Sequence, residues 1–186
     1  IKVTTTAAHE DGKADYTAEV STLASAGGDA LVVIGYLDQG GKGIIQGSLD
    51  SGAFDTFILS DGMIGDSLTD AFGKNLNKSF GSLPGSTGKG AGVFAKVAKA
   101  GGIDSSGPYT GESYDAAALL VLAMQAGGSA DRASIAKNVM SVANGPGKKI
   151  YPGELKKALD LLANGKAVDY EGATGVSFTD VGEAFG

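Results

Sequence analysis

Glycine occupies 31 of the 186 positions in this chain. This is more than twice the share of roughly 7% that is average for proteins. Residues with apolar side chains still make up 42% of the chain and no short repeat recurs, which excludes collagen-like and low-complexity disordered sequences. The formal net charge is −6 with the acidic residues scattered, so a nucleic-acid partner is not expected. Because cysteine is absent, disulfides, thiolate metal sites and a cysteine nucleophile are excluded.

The longest uncharged apolar stretch is residues 116–127, which is shorter than the ~20 residues that a membrane-spanning helix needs. We therefore expect no direct insertion into a membrane. The chain starts Ile1-Lys2-Val3, with neither an initiator methionine nor a signal segment. This start is typical of a mature protein or of an internal fragment.

The first 60 residues alternate between two patterns. The strand-like segments, which are β-branched or continuously apolar, are Lys2–Ala8, Ala30–Ile34 and Thr56–Leu59. Between them, Asp15–Ala26 and Lys42–Ser51 have helical spacing and are each followed by glycine. The order predicts β-α-β-α-β with parallel strands, right-handed crossovers and strands buried on both faces.

Residues 81–111 are rich in glycine, proline and serine and predict a hinge or boundary, interrupted by a short helix at Val93–Ala100. A helical region follows. Apolar residues recur there at helical spacing in Ala117, Leu120, Val121 and Met124, and again in Leu155, Ala158, Leu159 and Leu162. Asp131 is placed to cap a third helix that runs to about residue 143. Residues 173–179 alternate and predict a final strand, with residues 180–186 as a tail.

Loops that leave the carboxyl ends of parallel strands meet at one edge of the sheet, where ligands usually bind. Three such loops are predicted here, at residues 8–12, 35–39 and 60–63. Asp61 directly leaves a strand and precedes Gly62, which allows the backbone to bend and expose the carboxylate. Asp61 is therefore a candidate binding residue or a cap of the next helix, and Tyr36 is a candidate binding residue or an ordinary tyrosine at the rim.

Two glycine-rich stretches suggest phosphate binding, and neither has the full motif. Gly40-Gly41-Lys42-Gly43 at a predicted helix start has Gln46 where the dinucleotide fingerprint requires a third glycine. The stretch at residues 85–90 lacks the Walker spacing. His9 is the only histidine and no G-x-S-x-G elbow occurs, and His9-Glu10-Asp11 is interpreted as a solvated turn. The sequence thus predicts no catalytic set, no metal site and no cofactor.

Three segments of the chain together resemble one protein family. They are Lys2 through Asp15-Tyr16, then Asp29-Ala30-Leu31-Val32-Val33-Ile34-Gly35-Tyr36, then Phe57-Ile58-Leu59-Ser60-Asp61-Gly62. Their order and spacing are similar to the second lobe of the type I periplasmic solute-binding proteins of ABC importers, in the branched-chain amino-acid branch. Residues 112–117 and 169–175 resemble later segments of the same family.

This resemblance implies an α/β, parallel-sheet type I periplasmic-binding-protein fold, with the second lobe and helices of the first lobe. It assigns residues 1–83 to the ligand-binding lobe, 84–111 to a crossover or hinge region, 112–165 to helices of the first lobe, and 166–186 to a return strand and tail. Most of the first lobe is missing from the chain.

The resemblance also implies a function that involves no catalysis. The protein would be periplasmic and would deliver an amino acid or a related amine-bearing solute to a membrane permease. Asp61 lies where the family's acidic residue binds the ligand's ammonium group, and either Tyr36 or Leu37 lies where the family has a ligand-packing aromatic residue. Two alternatives remain: a nucleotide- or phosphate-using enzyme of doubly wound fold, and a sensory domain with the binding-protein fold.

Overall fold

The computed structural model describes residues 1–86 and 88–184. Thr87 in the second glycine-rich stretch and the last two residues of the expected tail lie outside the described residues. The chain divides into two compact units, Ile1–Pro84 and Gly85–Gly186. Each unit has its own hydrophobic core and its own parallel sheet.

The first unit contains a parallel sheet in the order β1-β2-β3. Its strands are β1 (Leu31–Val33), β2 (Phe57–Leu59) and β3 (Phe80–Gly81), and its helices are α1 (Thr17–Ala26), α2 (Gly41–Ser51) and α3 (Asp66–Phe72). Both predicted helices and the two apolar strands are confirmed with small differences at their ends. The short third strand was not predicted, since it is only two residues long and one of them is glycine.

The predicted strand at Lys2–Ala8 is wrong, because the segment takes no strand conformation. Its β-branched residues favour an extended chain, but a strand also requires a backbone partner. The segment instead contacts its surroundings through side chains: the hydroxyl of Thr4 donates a 2.8 Å hydrogen bond to the carbonyl of Gly27, just before β1.

The sheet of the first unit is covered on one face. Its core lies between that face and the helices and includes Tyr16, Val20, Ile45, Phe57 and Met63. On the opposite face, Val32, Ile58 and Phe80 are in register across the three strands, and Val32 and Phe80 are 52% and 63% exposed. The expectation of strands buried on both faces is therefore wrong for this unit.

The second unit is mainly helical. It contains α4 (Lys89–Ala100), α5 (Thr110–Gly127), α6 (Arg132–Ala143), β4 (Lys148–Ile150), α7 (Leu155–Ala163) and β5 (Val168–Tyr170). The strands β4 and β5 pair in parallel. All four helices were expected, although α4 begins four residues earlier than the apolar pattern indicated.

The predicted strand at residues 173–179 is also wrong. Residues 172–175 form a turn in which Gly172 and Gly175 have positive φ angles of 58° and 73°, and Phe178 makes only an isolated bridge to Ala184. The strands that do form, β4 and β5, were missed because β4 carries two exposed lysines and shows no apolar alternation.

Helix α5 buries a different face from the one that the spacing of its apolar residues suggested. Leu119 and Leu122 are 4% and 0% exposed and lie in the core, whereas Leu120 and Val121 are 47% and 39% exposed. Because this helix carries apolar residues on all sides, periodicity alone identifies the helix but not the face that packs.

Candidate functional site

The candidate site lies in the first unit, at the carboxyl ends of β1 and β2. The chain leaves β1 through Gly35 and Tyr36 and leaves β2 through Ser60 and Asp61. Two hydrogen bonds join the exits: the Ser60 amide donates to the carbonyl of Val33 at 3.1 Å, and the Gly35 amide donates to the Ser60 hydroxyl at 3.3 Å. The predicted convergence of these two loops is thus present.

Gly62 allows the two loops to touch. A Cβ atom added at this glycine would lie 2.5 Å from the carbonyl oxygen of Gly35 and 3.1 Å from Cδ1 of the Tyr36 ring. No side chain fits at the first of these distances. The Tyr36 ring therefore lies directly beside the backbone that carries Asp61.

Asp61 is exposed at this edge. Asp61 begins a 3₁₀ turn, Asp61–Met63, and its Oδ1 accepts a 2.8 Å hydrogen bond from the Gly62 amide. Helix α3 begins further along the chain and has Gly65 at its N-cap, with no side-chain cap. The alternative of Asp61 as the cap of this helix therefore has no support in the geometry.

Tyr36 and Leu37 point to different environments. The Tyr36 side chain is 62% exposed, whereas Leu37 is 7% exposed and belongs to the core. The backbone holds the loop in place, because the Tyr36 carbonyl accepts hydrogen bonds from the amides of Gln39 and Gly41 at 3.2 and 3.1 Å. Of the two neighbouring candidates, only Tyr36 presents its side chain at the edge.

The loop around His9 also reaches this edge, although no strand precedes it. The His9 Nε2 atom lies 3.3 Å from the carbonyl oxygen of Ile34, and its ring packs against Gly35, where a Cβ would be 3.1 Å away. The Gly12 amide donates a 2.7 Å hydrogen bond to the Gln39 carbonyl. The sequence pattern indicated a solvated turn at His9, and nothing in it predicted this contact.

Packing explains the glycines at the start of α2. Side chains at Gly40 or Gly43 would overlap the Tyr16 ring, and one at Gly41 would overlap the Met63 side chain. Lys42 forms an ion pair with Asp38 at 2.5 Å. The glycine run thus needs no phosphate ligand to account for it.

In the second unit, the buried carboxylate of Asp115, 2% exposed, accepts four hydrogen bonds. The donors are the Tyr170 hydroxyl, the amide of Ala173, and both the amide and the hydroxyl of Thr174, at 2.7–2.8 Å. Burial and the neighbouring Asp115 charge raise the pKa of Tyr170 far above its usual range. All four of these hydrogen bonds come from groups of the same unit, so the carboxylate holds the structure together and the cluster is structural.

A cleft of about 360 Å³ lies along β5 and the segment that follows α6. Its acidic side chains, Asp169 and Glu171, both lie within ion-pair distance of Lys149. Across residues 1–86 and 88–184, no three histidine or acidic side chains are grouped so that they could hold a metal ion. In the same ranges, no helix combines the length and the hydropathy needed to cross a membrane.

Two solved structures share the architecture of this chain. A leucine-binding protein, LivK, from Thermotoga maritima superposes with a TM-score of 0.63 at 20% identity, over 93% of this chain and 43% of its own length. A type 1 periplasmic binding protein from Bordetella pertussis superposes with a TM-score of 0.60 at 22% identity, over 73% of this chain and 40% of its own length. The chain therefore has the type I periplasmic-binding-protein fold over the part that it covers, and the predicted fold class is confirmed.

One curated relative is similar in sequence. A stretch of 68 residues is 41% identical to the chemotactic signal transduction system substrate-binding protein BasB of Halobacterium salinarum, which is 37% of this chain and 16% of that protein. No protein-family model matches the chain. The chain spans less than half the length of the solved structures that it matches.

Proposed function

We propose that this chain is part of a non-enzymatic solute-binding protein whose ligand is an amino acid or a related small amine-bearing solute. The observation that carries the proposal is the contact of Gly62 with Gly35 and Tyr36, which places an exposed carboxylate and an exposed aromatic ring side by side at the carboxyl edge of a parallel sheet. Both solved relatives are named as binding proteins, one of them for leucine.

The chemistry of the two side chains suits an ammonium group. A carboxylate such as that of Asp61 accepts charge-assisted hydrogen bonds from an ammonium, and these are stronger than neutral ones. A tyrosine ring adds cation–π attraction of ~0.5–2 kcal/mol when the cation lies over its face. The Tyr36 ring is close enough to the Asp61 backbone for one ligand to contact both residues.

In the full proposal the protein is periplasmic and delivers its solute to the membrane permease of an ABC importer. The similarity to BasB favours a second candidate role, in which the bound solute is sensed for chemotaxis instead of imported. The two roles can be separated in a deletion strain by measuring the uptake of the labelled solute and the swimming response to it. Loss of uptake supports import, and loss of the response with normal uptake supports sensing.

Calorimetric titration of the full-length protein with a panel of amino acids, leucine included, tests the binding proposal. Asp61→Asn should weaken binding by at least tenfold, while Asp70→Asn, an exposed change on α3, should leave binding unchanged. For whichever amino acid binds, the matching 2-oxo acid, which lacks the ammonium group, should bind weakly to the parent and equally weakly to Asp61→Asn. The proposal fails if no amino acid binds or if Asp61→Asn binds like the parent.

A further inference from the structure

The only histidine of the chain lies beneath the loop that carries Tyr36. Its Nε2 atom is 3.3 Å from the Ile34 carbonyl oxygen, and the ring packs on Gly35, where a Cβ would be 3.1 Å from both Cε1 and Nε2. Gly62 approaches the carbonyl of the same Gly35. Gly35 thus has the imidazole and the backbone next to Asp61 as neighbours.

The carbonyl of Ile34 determines which ring nitrogen of His9 carries the hydrogen. A backbone carbonyl only accepts, so Nε2 must carry the hydrogen that it donates to Ile34. The other nitrogen, Nδ1, is buried and has no hydrogen-bond partner among the described residues. A ring with its hydrogen on Nε2 therefore fits this position.

The ring of His9 is itself held in place by Tyr16. The two rings meet edge to face, with centroids 5.9 Å apart and an interplanar angle of 82°. Tyr16 is 3% exposed, and its hydroxyl donates to the Glu10 carbonyl at 3.0 Å and accepts from the Lys13 amide at 3.0 Å. The tyrosine therefore holds the turn that directly follows His9 at two points, Glu10 and Lys13.

We propose that His9 is a positioning residue for the candidate site. Its Nε2–H bond to Ile34 and its contact with Gly35 fix the exit of β1, and through it the Tyr36 side chain. This inference rests on the proposed function for its effect on binding. Its effect on the loop itself can be measured without any ligand.

Two amide substitutions separate the hydrogen bond from other roles of the ring. His9→Gln places an N–H donor near the position of Nε2, whereas His9→Asn places one near Nδ1 and leaves Ile34 without its donor. The measurement is amide hydrogen exchange of residues 35–41, with the unfolding free energy recorded in parallel. Exchange should become roughly three- to tenfold faster in His9→Asn, as expected for the loss of one ordinary hydrogen bond, and remain near the parent in His9→Gln.

Gly35→Ala provides an independent variant, because the added methyl group would push on the imidazole. It should speed exchange of the same amides. The inference is overturned if His9→Asn leaves these amides unchanged or if both amide variants change them equally.

Titration with the amino acid that binds the parent adds the functional readout. His9→Asn should weaken binding by a similar three- to tenfold factor, with His9→Gln restoring it. If the parent binds no amino acid, the proposed function fails while the exchange result still decides the role of His9. If the parent binds and His9→Asn binds equally well, the positioning role is refuted and the proposed function stands.

Discussion

The hydroxyl of Tyr170 donates a 2.8 Å hydrogen bond to Oδ1 of Asp115, and the amide of Ala173 donates to the same oxygen at 2.7 Å. This arrangement ties the end of β5 to helix α5. Gly172 makes the approach possible, because a side chain there would overlap both the carboxylate and the Tyr170 ring. The turn after β5 is therefore built around one buried negative charge.

Replacing this charge should destabilise the protein. In Asp115→Asn one carboxylate oxygen becomes an NH₂ group, which can accept no hydrogen bond and faces the donors of Ala173 or Thr174. We expect the unfolding free energy in urea to fall by about 2–4 kcal/mol, since buried donors lose their charged partner. Asp160→Asn, on the exposed face of α7, should change it by no more than about 0.5 kcal/mol. Equal effects of the two substitutions would contradict the role of the cluster.

The raised pKa of Tyr170 predicts a specific loss of stability in alkali. Above a pH of about 10 the unfolded tyrosine ionises while the folded one does not, so the unfolded state binds fewer protons. The unfolding free energy should then fall by up to about 1.4 kcal/mol per pH unit from this group. Tyr170→Phe should remove that part of the slope, whereas Tyr36→Phe should retain it. Urea unfolding between pH 8 and 11 measures the difference; identical slopes for the parent and Tyr170→Phe would disprove it.

Two leucines of α5 should differ strongly in how much their truncation destabilises the protein. Leu122 is fully buried, and Leu122→Ala should cost about 2–5 kcal/mol of unfolding free energy through lost burial and the cavity that remains. Leu120 is 47% exposed, and Leu120→Ala should change the unfolding free energy by about 0.5 kcal/mol or less. Urea denaturation of both variants tests the face assignment, which would be reversed if Leu120→Ala proved the more costly.

Two glycines of helix α4 form a second matched pair. At Gly92 a Cβ would meet nothing within 4 Å, so Gly92→Ala should raise the unfolding free energy by about 0.4–1 kcal/mol through helix propensity. At Gly90 a Cβ would overlap the carbonyl of Gly172, so Gly90→Ala should lower it. Thermal unfolding of the two variants should give melting temperatures on opposite sides of the parent, and shifts in the same direction would count against this packing.

The elements that the sequence predicted correctly are those with a clear apolar pattern and a clear stop signal in the chain itself. The apolar runs that include β1 and β2 are short and bounded by polar or glycine residues, and α1 and α2 end at glycines, so their types were predictable. Lys2–Ala8 shows the limit of this reasoning, because its composition favours a strand but strand formation requires a partner that is distant in sequence. The strand β4 is the opposite case. Its two lysines do not favour a strand, but it forms one because β5 pairs with it.

For the candidate site, the sequence predicted which residues lie at the edge of the sheet but not all of their contacts. Asp61 and Tyr36 follow from topology, because residues at the ends of neighbouring parallel strands must share an edge. The burial of Leu37 depends on the conformation of a single loop residue, which no pattern in the sequence encodes. The contact of His9 with Gly35 depends on the path of the whole segment before α1, so only the structure could reveal it.

The contact between Gly62 and the carbonyl of Gly35 has a consequence for how the site could change its ligand. Because the two backbones touch, neither loop can move closer to the other. Moving them apart would break the hydrogen bond from the Ser60 amide to the Val33 carbonyl. The spacing between positions 36 and 61 thus does not depend on the side chains at these two positions. Side chains at these two positions can be exchanged for others while the spacing is kept, which makes them the natural pair to vary together when a different solute is to be selected.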